Sequence, residues 1–166
     1  MGIHRVTIRF ERTADAVLIR EIMTHPKIWP WITDDGSPAA ADFEPAIHPS
    51  LWYVLAFDGE ELMGLWLFAA QSSACFEAHT CLLPGQRGER AGEAAKQVIA
   101  WIWANTPCRR IFTNVPRFNR AALYFAVRAG LIRFGVNEQS FLKHGKLYDQ
   151  ILLGLSKPEE TPCPQL

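Results

Sequence analysis

The sequence lacks a net charge, a long apolar run and any paired cysteine motif, and each absence removes a class of protein. Lys plus Arg number 17 and Asp plus Glu number 17 over 166 residues, so no overall field exists to hold a polyanion, and neither nucleic acid nor an anionic membrane is an expected partner. The longest apolar stretches, such as Leu62 to Ala70, are far shorter than the roughly 20 residues of a bilayer span. The N-terminus runs directly into alternating residues with no charged segment followed by an apolar one, which is the pattern of a cytoplasmic chain. Cys75, Cys81, Cys108 and Cys163 show no C-x-x-C spacing; they are read as free thiols, with neither a zinc site nor a disulfide framework, and no metal is expected.

Apolar residues make up 49% of the chain and charged residues 20%, enough to bury a core over the length of one domain. That domain is placed at 1–155. The tail 156–166, with three prolines, is expected to be loose. Strands are expected at Val6 to Phe10, Trp52 to Phe57, Leu62 to Ala70, Cys75 to Leu83 and Arg110 to Val115, with two more ending near Leu155. Thr13-Ala14-Asp15 opens a first helix, Ala91, Ala95, Val98 and Ile102 mark one face of a long one, and Asn119 to Ala129 forms another, ended by Gly130. Residues between His25 and Pro49 form a long aromatic-rich segment. On the long helix Trp101 and Trp103 cannot share a face, so one is assigned to the core and the other to solvent or to a homodimer contact.

The chemically suggestive stretch is Leu82-Leu83-Pro84-Gly85-Gln86-Arg87-Gly88-Glu89-Arg90-Ala91-Gly92, a strand passing through a glycine turn into a helix. First-turn N–H groups lack intrahelical partners and attract anions, and Arg87 and Arg90 add charge beside them. The plain alternative is that the glycines only make the turn while the arginines are solvated. The stretch has neither Gly-Lys-Ser/Thr nor G-x-G-x-x-G, so nucleotide-triphosphate and dinucleotide sites are excluded. Glu77 and His79 stand two apart on the preceding strand and share a face, an arrangement suited to relaying a proton; each also has a structural reading, as a loop acceptor and a half-buried histidine.

From Glu77 to Gly88 the sequence resembles the strand and pyrophosphate loop of the GNAT acyl-CoA-dependent N-acetyltransferases, nearest the ribosomal-protein N-terminal acetyltransferase branch with its E-x-x-x-x-L-x-P-x-x-R-G. Asn119-Arg120-Ala121-Ala122 through Gly130-Leu131 and His144-Gly145-Lys146-Leu147-Tyr148-Asp149 resemble two later motifs, so the likeness covers Cys75 to Leu155. Arg90 stands where the family's loop has a second small residue. Ala126 stands where many members have a Tyr, with Tyr124 two residues away.

The resemblance implies an α/β fold with a mixed, mainly antiparallel sheet of six to seven strands, flanked by helices and splayed between central strands. It implies acetyl-CoA as cosubstrate, with pyrophosphate on the amides of Arg87, Gly88, Glu89, Arg90, Ala91 and Gly92. The pantetheine arm would pair along Cys81, Leu82 and Leu83, with Asn119, Ala122 and Phe125 beside it. Glu77 and His79 become the catalytic candidates for transfer to a small-molecule or peptide amine by direct attack in a ternary complex. Trp29, Trp31, Asp34 and Asp35 fall where the family builds its acceptor wall, although a core tryptophan and an acidic turn read the same residues equally well. The competing reading is an inactive GNAT-like module that binds CoA or a partner.

Overall fold

The computed structural model describes residues 7–159. Chain order is β1 (Ile8–Thr13), α1 (Ala16–Met23), α2 (Trp29–Ile32), a short 3-10 turn (Ala40–Asp42), β2 (Leu51–Asp58), β3 (Glu61–Ala70), β4 (Cys75–Leu82), α3 (Glu89–Asn105), β5 (Arg110–Pro116), α4 (Arg120–Arg128), β6 (Ile132–Lys143) and β7 (Lys146–Ser156). Val6 and Cys163 lie outside the described residues. Seven strands form one sheet in the order β1-β2-β3-β4-β5-β7-β6. Every neighbouring pair is antiparallel except β4 and β5.

Local chemistry explains the element ends. Asp15 caps α1 by accepting from the amides of Val17 and Leu18, and Asn119 caps α4 by accepting from Ala122, each satisfying donors that a helix leaves open. Gly130 takes φ 99° past the end of α4, which only glycine adopts cheaply. The β2–β3 turn at Asp58-Gly59 and the β6–β7 turn at His144-Gly145 are tight, the latter with both residues at positive φ, as a two-residue hairpin turn requires. Ser156 remains in β7 and the Lys157 amide donates to the Arg109 carbonyl at 2.7 Å, so ordered pairing runs past the tail boundary expected from the prolines.

Alternating strand residues divide the core between two faces. On one face Val54, Trp66, Phe68, Phe76, Ile111 and Leu153 pack against Ala95, Val98, Ile99 and Ile102 of α3 and Ala126 of α4. On the other Tyr53, Leu55, Leu65 and Cys81 pack against Ile19 and Ile22 of α1. Trp101 and Trp103 correct the expectation that one is core and one exposed: both are half-buried against the α3 face of the core. Fully buried Ile102 lies between them, so the two rings straddle the helix's inner face, Trp101 meeting Trp52 edge-on at 6.5 Å. Among the described residues no helix is long and apolar enough to cross a membrane.

Gly64 holds β3 against β4. It sits at φ 143°, and a Cβ there would lie 2.2 Å from the Cys81 carbonyl oxygen, a backbone atom that cannot yield as a side chain would. Gly64→Ala is expected to lower stability by about 3 kcal/mol, measured by urea unfolding; a loss below about 0.5 kcal/mol would contradict this packing.

Candidate active site

The parallel pair β4 and β5 touches only through Cys75, Phe76 and Glu77 opposite Arg110, Ile111 and Phe112. Beyond Glu77 the strands part, although β4 continues to Leu82 and β5 to Pro116. Which β4 backbone groups face the gap follows from the other edge. Gln71 donates to the Cys75 carbonyl and Leu83 donates to that of Met63, both at 2.9 Å. In an antiparallel ladder hydrogen-bonded pairs alternate with unbonded ones, so Glu77, His79 and Cys81 also exchange bonds with β3. The alternate residues turn the other way, as Ala74 does in accepting from Arg109 and Arg110. The parallel pairing of Glu77 with Phe112 commits the Ala78 amide to β5, so the Ala78 carbonyl and the N–H and C=O groups of Thr80 and Leu82 face the gap.

A cleft of about 320 Å³ occupies it. Because the strands have separated, the cleft passes through the sheet. Ala95 and Ile99 of α3 and Ala122, Phe125 and Ala126 of α4 line one side, while Trp31, Glu77, His79 and Phe141 line the other. Ala122, Phe125 and Ala126 of α4 and its C-cap residue Ala129 form one stripe, and the three alanines leave the space open.

Glu77 and His79 share one face of β4, as their spacing predicts, and that face is the α1 side. Glu77 Oε1 accepts from Asn114 Nδ2 at 3.0 Å and lies 3.4 Å from His79 Nε2. His79 keeps 44% of its side-chain surface exposed at the cleft, yet the enclosing protein lowers its pKa below the ordinary 6.5, with the Glu77 charge opposing that shift. The imidazole is thus neutral near pH 7 and able to accept a proton.

Past β4 the chain turns through Pro84 and two glycines. Gly85 and Gly88 adopt φ 88° and 85°, and a Cβ on either would meet nothing within 4 Å. Gly88 is the N-cap of α3 and no side chain caps the helix. The amide cradle thus fits a bulky anion: open space, glycine backbone and helix dipole coincide. Arg87 is exposed on this loop. Arg90 does not lie across the cleft; its guanidinium makes a bidentate pair with Asp58, Nε to Oδ2 at 2.7 Å and a terminal nitrogen to Oδ1 at 2.6 Å.

Other residues singled out in the sequence are placed differently. Cys81 is fully buried in the α1-side core, where desolvation pushes its thiol pKa up to about 12, and its backbone, like that of Leu83, is turned to β3. Trp29 packs on Phe43 with ring centres 5.0 Å apart, while Trp31 lines the cleft and is 55% exposed. Asp34 accepts from the Gly36 amide and the Ser37 hydroxyl in its own turn. Asp35 accepts from the amides of His144 and Gly145 at 2.8 and 2.7 Å, bonds that hold its carboxyl below the usual value. The acidic pair therefore builds the loop and is not presented to the cleft. Asn119 lines the cleft while its side chain caps α4. Tyr124 is 66% exposed and lies outside the cleft lining. Among the described residues no group of three potential metal ligands occurs.

Sequence reasoning missed Asn114, Phe141 and Gln150, all of which line the cleft. Asn114 had left a trace, as a polar amide within the apolar strand Ile111-Phe112-Thr113-Asn114-Val115. Phe141 and Gln150 come from β6 and β7, and only the sheet order brings them beside β4.

This architecture, an open seven-stranded sheet splayed beside an uncapped helix N-terminus, is the fold of the GNAT acetyltransferases. Spermidine N-acetyltransferase from Vibrio cholerae, solved in complex with CoA and spermine, superposes with a TM-score of 0.70 and 14% identity, covering 92% of this chain and 95% of that one. Ribosomal-protein-S5-alanine acetyltransferase from Vibrio fischeri gives 0.70 and 15%, covering 98% of each chain. Arabidopsis thaliana NAA60 in complex with acetyl-CoA gives 0.67 and 16%, covering 90% of this chain and 98% of that one. No protein-family model and no curated protein matches the sequence.

Because the Glu77 carboxylate favours the imidazolium, Glu77→Gln should lower the His79 pKa further below 6.5, as read by NMR titration of the ring protons. An unchanged or higher value would show that the two groups are not electrostatically linked.

Proposed function

We propose that the protein is an N-acetyltransferase that uses acetyl-CoA and a primary amine. One observation carries this reading: the unpaired edge of β4 leads directly to the uncapped N-terminus of α3, so strand-pairing groups and an anion cradle lie end to end. A ligand with a peptide-like arm and a diphosphate matches both. Gly88, Glu89, Arg90 and Ala91 supply the cradle with backbone amides, whereas the amides of Arg87 and Gly92 are spent on the carbonyls of Gly85 and Gly88 at 3.1 and 3.2 Å; Arg87 adds charge at the rim. Thr80 and Leu82, with the Ala78 carbonyl, offer the pairing edge in place of Cys81 and Leu83. Ala122 and Phe125 flank the arm from α4, and Asn119 fixes the start of that helix.

When bound, acetyl-CoA supplies the thioester carbon that the amine attacks and the thiolate that departs. The Thr80 amide, which faces the gap and lines the cleft with Glu77 and His79, would donate to the developing oxyanion. Glu77 and neutral His79 sit on the acceptor side, where a water or the side chain itself takes the amine's proton. Direct attack fits the cleft better than a covalent relay: both sides meet in one cavity, and Cys81, the thiol nearest the gap along β4, is buried and protonated. Ala126 brings no ionisable group to the cleft, so the proton for the departing thiolate would come from water or from another residue.

Ala126 is also the observation that favours the second reading, a CoA-binding module without turnover. Binding and turnover separate the two. Gly88→Val should raise the acetyl-CoA Kd at least tenfold, or about 1.4 kcal/mol, in calorimetry; unchanged affinity would move the cofactor elsewhere. Glu77→Gln should reduce kcat about a hundredfold with the acetyl-CoA Kd unchanged, whereas full activity would remove Glu77 from proton transfer. Binding of acetyl-CoA with no CoA release in the presence of any amine would select the module.

A further inference from the structure

The acceptor side of the cleft differs chemically from a polycation site. Glu77 is its only carboxylate among the described residues, and no Lys or Arg lines it. Of the acidic pair nearest in the chain to Trp31, Asp34 accepts from the Gly36 amide and the Ser37 hydroxyl on Oδ1 and Asp35 accepts from the His144 and Gly145 amides on its two oxygens, and neither side chain lines the cleft. Asn114 and Gln71 donate to the two oxygens of Glu77 at 3.0 and 3.4 Å, and around it Trp31, Ile32, Pro116 and Phe141 join the polar side chains of His79, Asn114 and Gln150 in the lining. The aromatic wall extends outward, with Phe118 between Phe141 and Tyr148 at ring-centre distances of 6.0 and 4.7 Å.

That wall is fixed in place. Lys143 Nζ, near the tip of the β6–β7 hairpin, donates to the carbonyls of Pro30 and Thr33 at 2.8 and 2.6 Å, on either side of Trp31 in the chain. Asp35 grips the same hairpin tip, and its own amide donates to the Leu142 carbonyl at 2.9 Å. Trp31 from α2 and Phe141 from β6 are thereby tied together, although 110 positions separate them in the sequence. A preorganised apolar wall lowers the ordering cost of binding.

We propose that the acceptor is a small monoamine whose amino group is carried on a flat apolar or aromatic body, in preference to a polyamine or a peptide N-terminus. This rests on the acetyl-transfer reading above and deepens it. One ammonium finds one carboxylate and the ring face of Trp31, whereas a second ammonium in the same cleft would be desolvated with no partner. The apolar surroundings also shift the bound amine toward its neutral form, which is the nucleophile. A peptide would bring further amides and carbonyls against rings that cannot bond them.

The test uses the full chain with acetyl-CoA and three acceptors: 2-phenylethylamine, spermidine and an Ala-headed tetrapeptide amide. The expected result is a kcat/KM for 2-phenylethylamine at least tenfold above both others. Trp31→Ala, at an exposed position, should raise its KM at least tenfold while the acetyl-CoA Kd stays within twofold. Lys143→Met, which releases α2 without touching the cleft lining, should raise the same KM at least threefold. Preference for spermidine or the peptide, or an unchanged KM in Trp31→Ala, would overturn the proposal while leaving acetyl transfer intact. Should acetyl-CoA bind without turnover of any amine, the acetyl-transfer reading fails, and with it the assignment of an acceptor. Absence of acetyl-CoA binding overturns both.

Discussion

The structure depends on a hydrogen-bonding constraint at one strand. β4 is bonded to β3 along its whole length but to β5 at only three positions. The ladder's alternation then decides which groups are committed and which are exposed: Glu77, His79 and Cys81 spend their amides on β3, Ala78 spends its amide on β5, and Thr80 and Leu82 turn theirs to a gap. A buried unpaired backbone amide costs free energy comparable to a lost hydrogen bond. Such an edge persists in the middle of a sheet only because water or a ligand reaches it. The separation of β4 from β5 supplies that access, and the small residues Ala122, Ala126 and Ala129 keep it open.

Electrostatics around the gap is arranged by pairs. Asp58 holds Arg90 in a bidentate ion pair at the first turn of α3, where a side chain directed at the amide cradle would compete with an incoming anion. Both partners are part-exposed, so the pair contributes little to stability; its consequence is to fix where the guanidinium lies. At the other end, Asn114 and His79 converge on one oxygen of Glu77. The Asn114 side-chain oxygen is buried with no hydrogen-bond partner among the described residues, and its amide nitrogen is held by Glu77. Protonation at His79 and charge at Glu77 are linked through that shared oxygen.

Much of the architecture was legible in the sequence because it is written locally. Asp15 at the start of α1, Gly130 as a helix stop and Asp58-Gly59 as a turn all act within a few residues, and the α3 stripe follows from period alone. The shared face of Glu77 and His79 is likewise local, set by strand alternation. Contacts between distant segments were not legible. Nothing near Arg90 in the chain announces Asp58, and nothing near Asp35 announces the His144-Gly145 turn, so both charges read as available to a ligand. Cys81 and Leu83 were assigned to the pairing edge because sequence gives the strand but not the parity of its hydrogen bonds; that parity is fixed by the β3–β4 register, which depends on the turn at Gln71 to Cys75.

The central claim concerns those amides and is directly measurable by residue-resolved hydrogen exchange in the free protein and with saturating acetyl-CoA. Thr80 and Leu82 are predicted to exchange rapidly in the free protein and to gain protection on ligand addition, while His79 and Cys81 exchange slowly in both states. Equal protection of all four residues before ligand is added, or no change at Thr80 and Leu82 once it is bound, would contradict an open β4 edge that receives the cofactor.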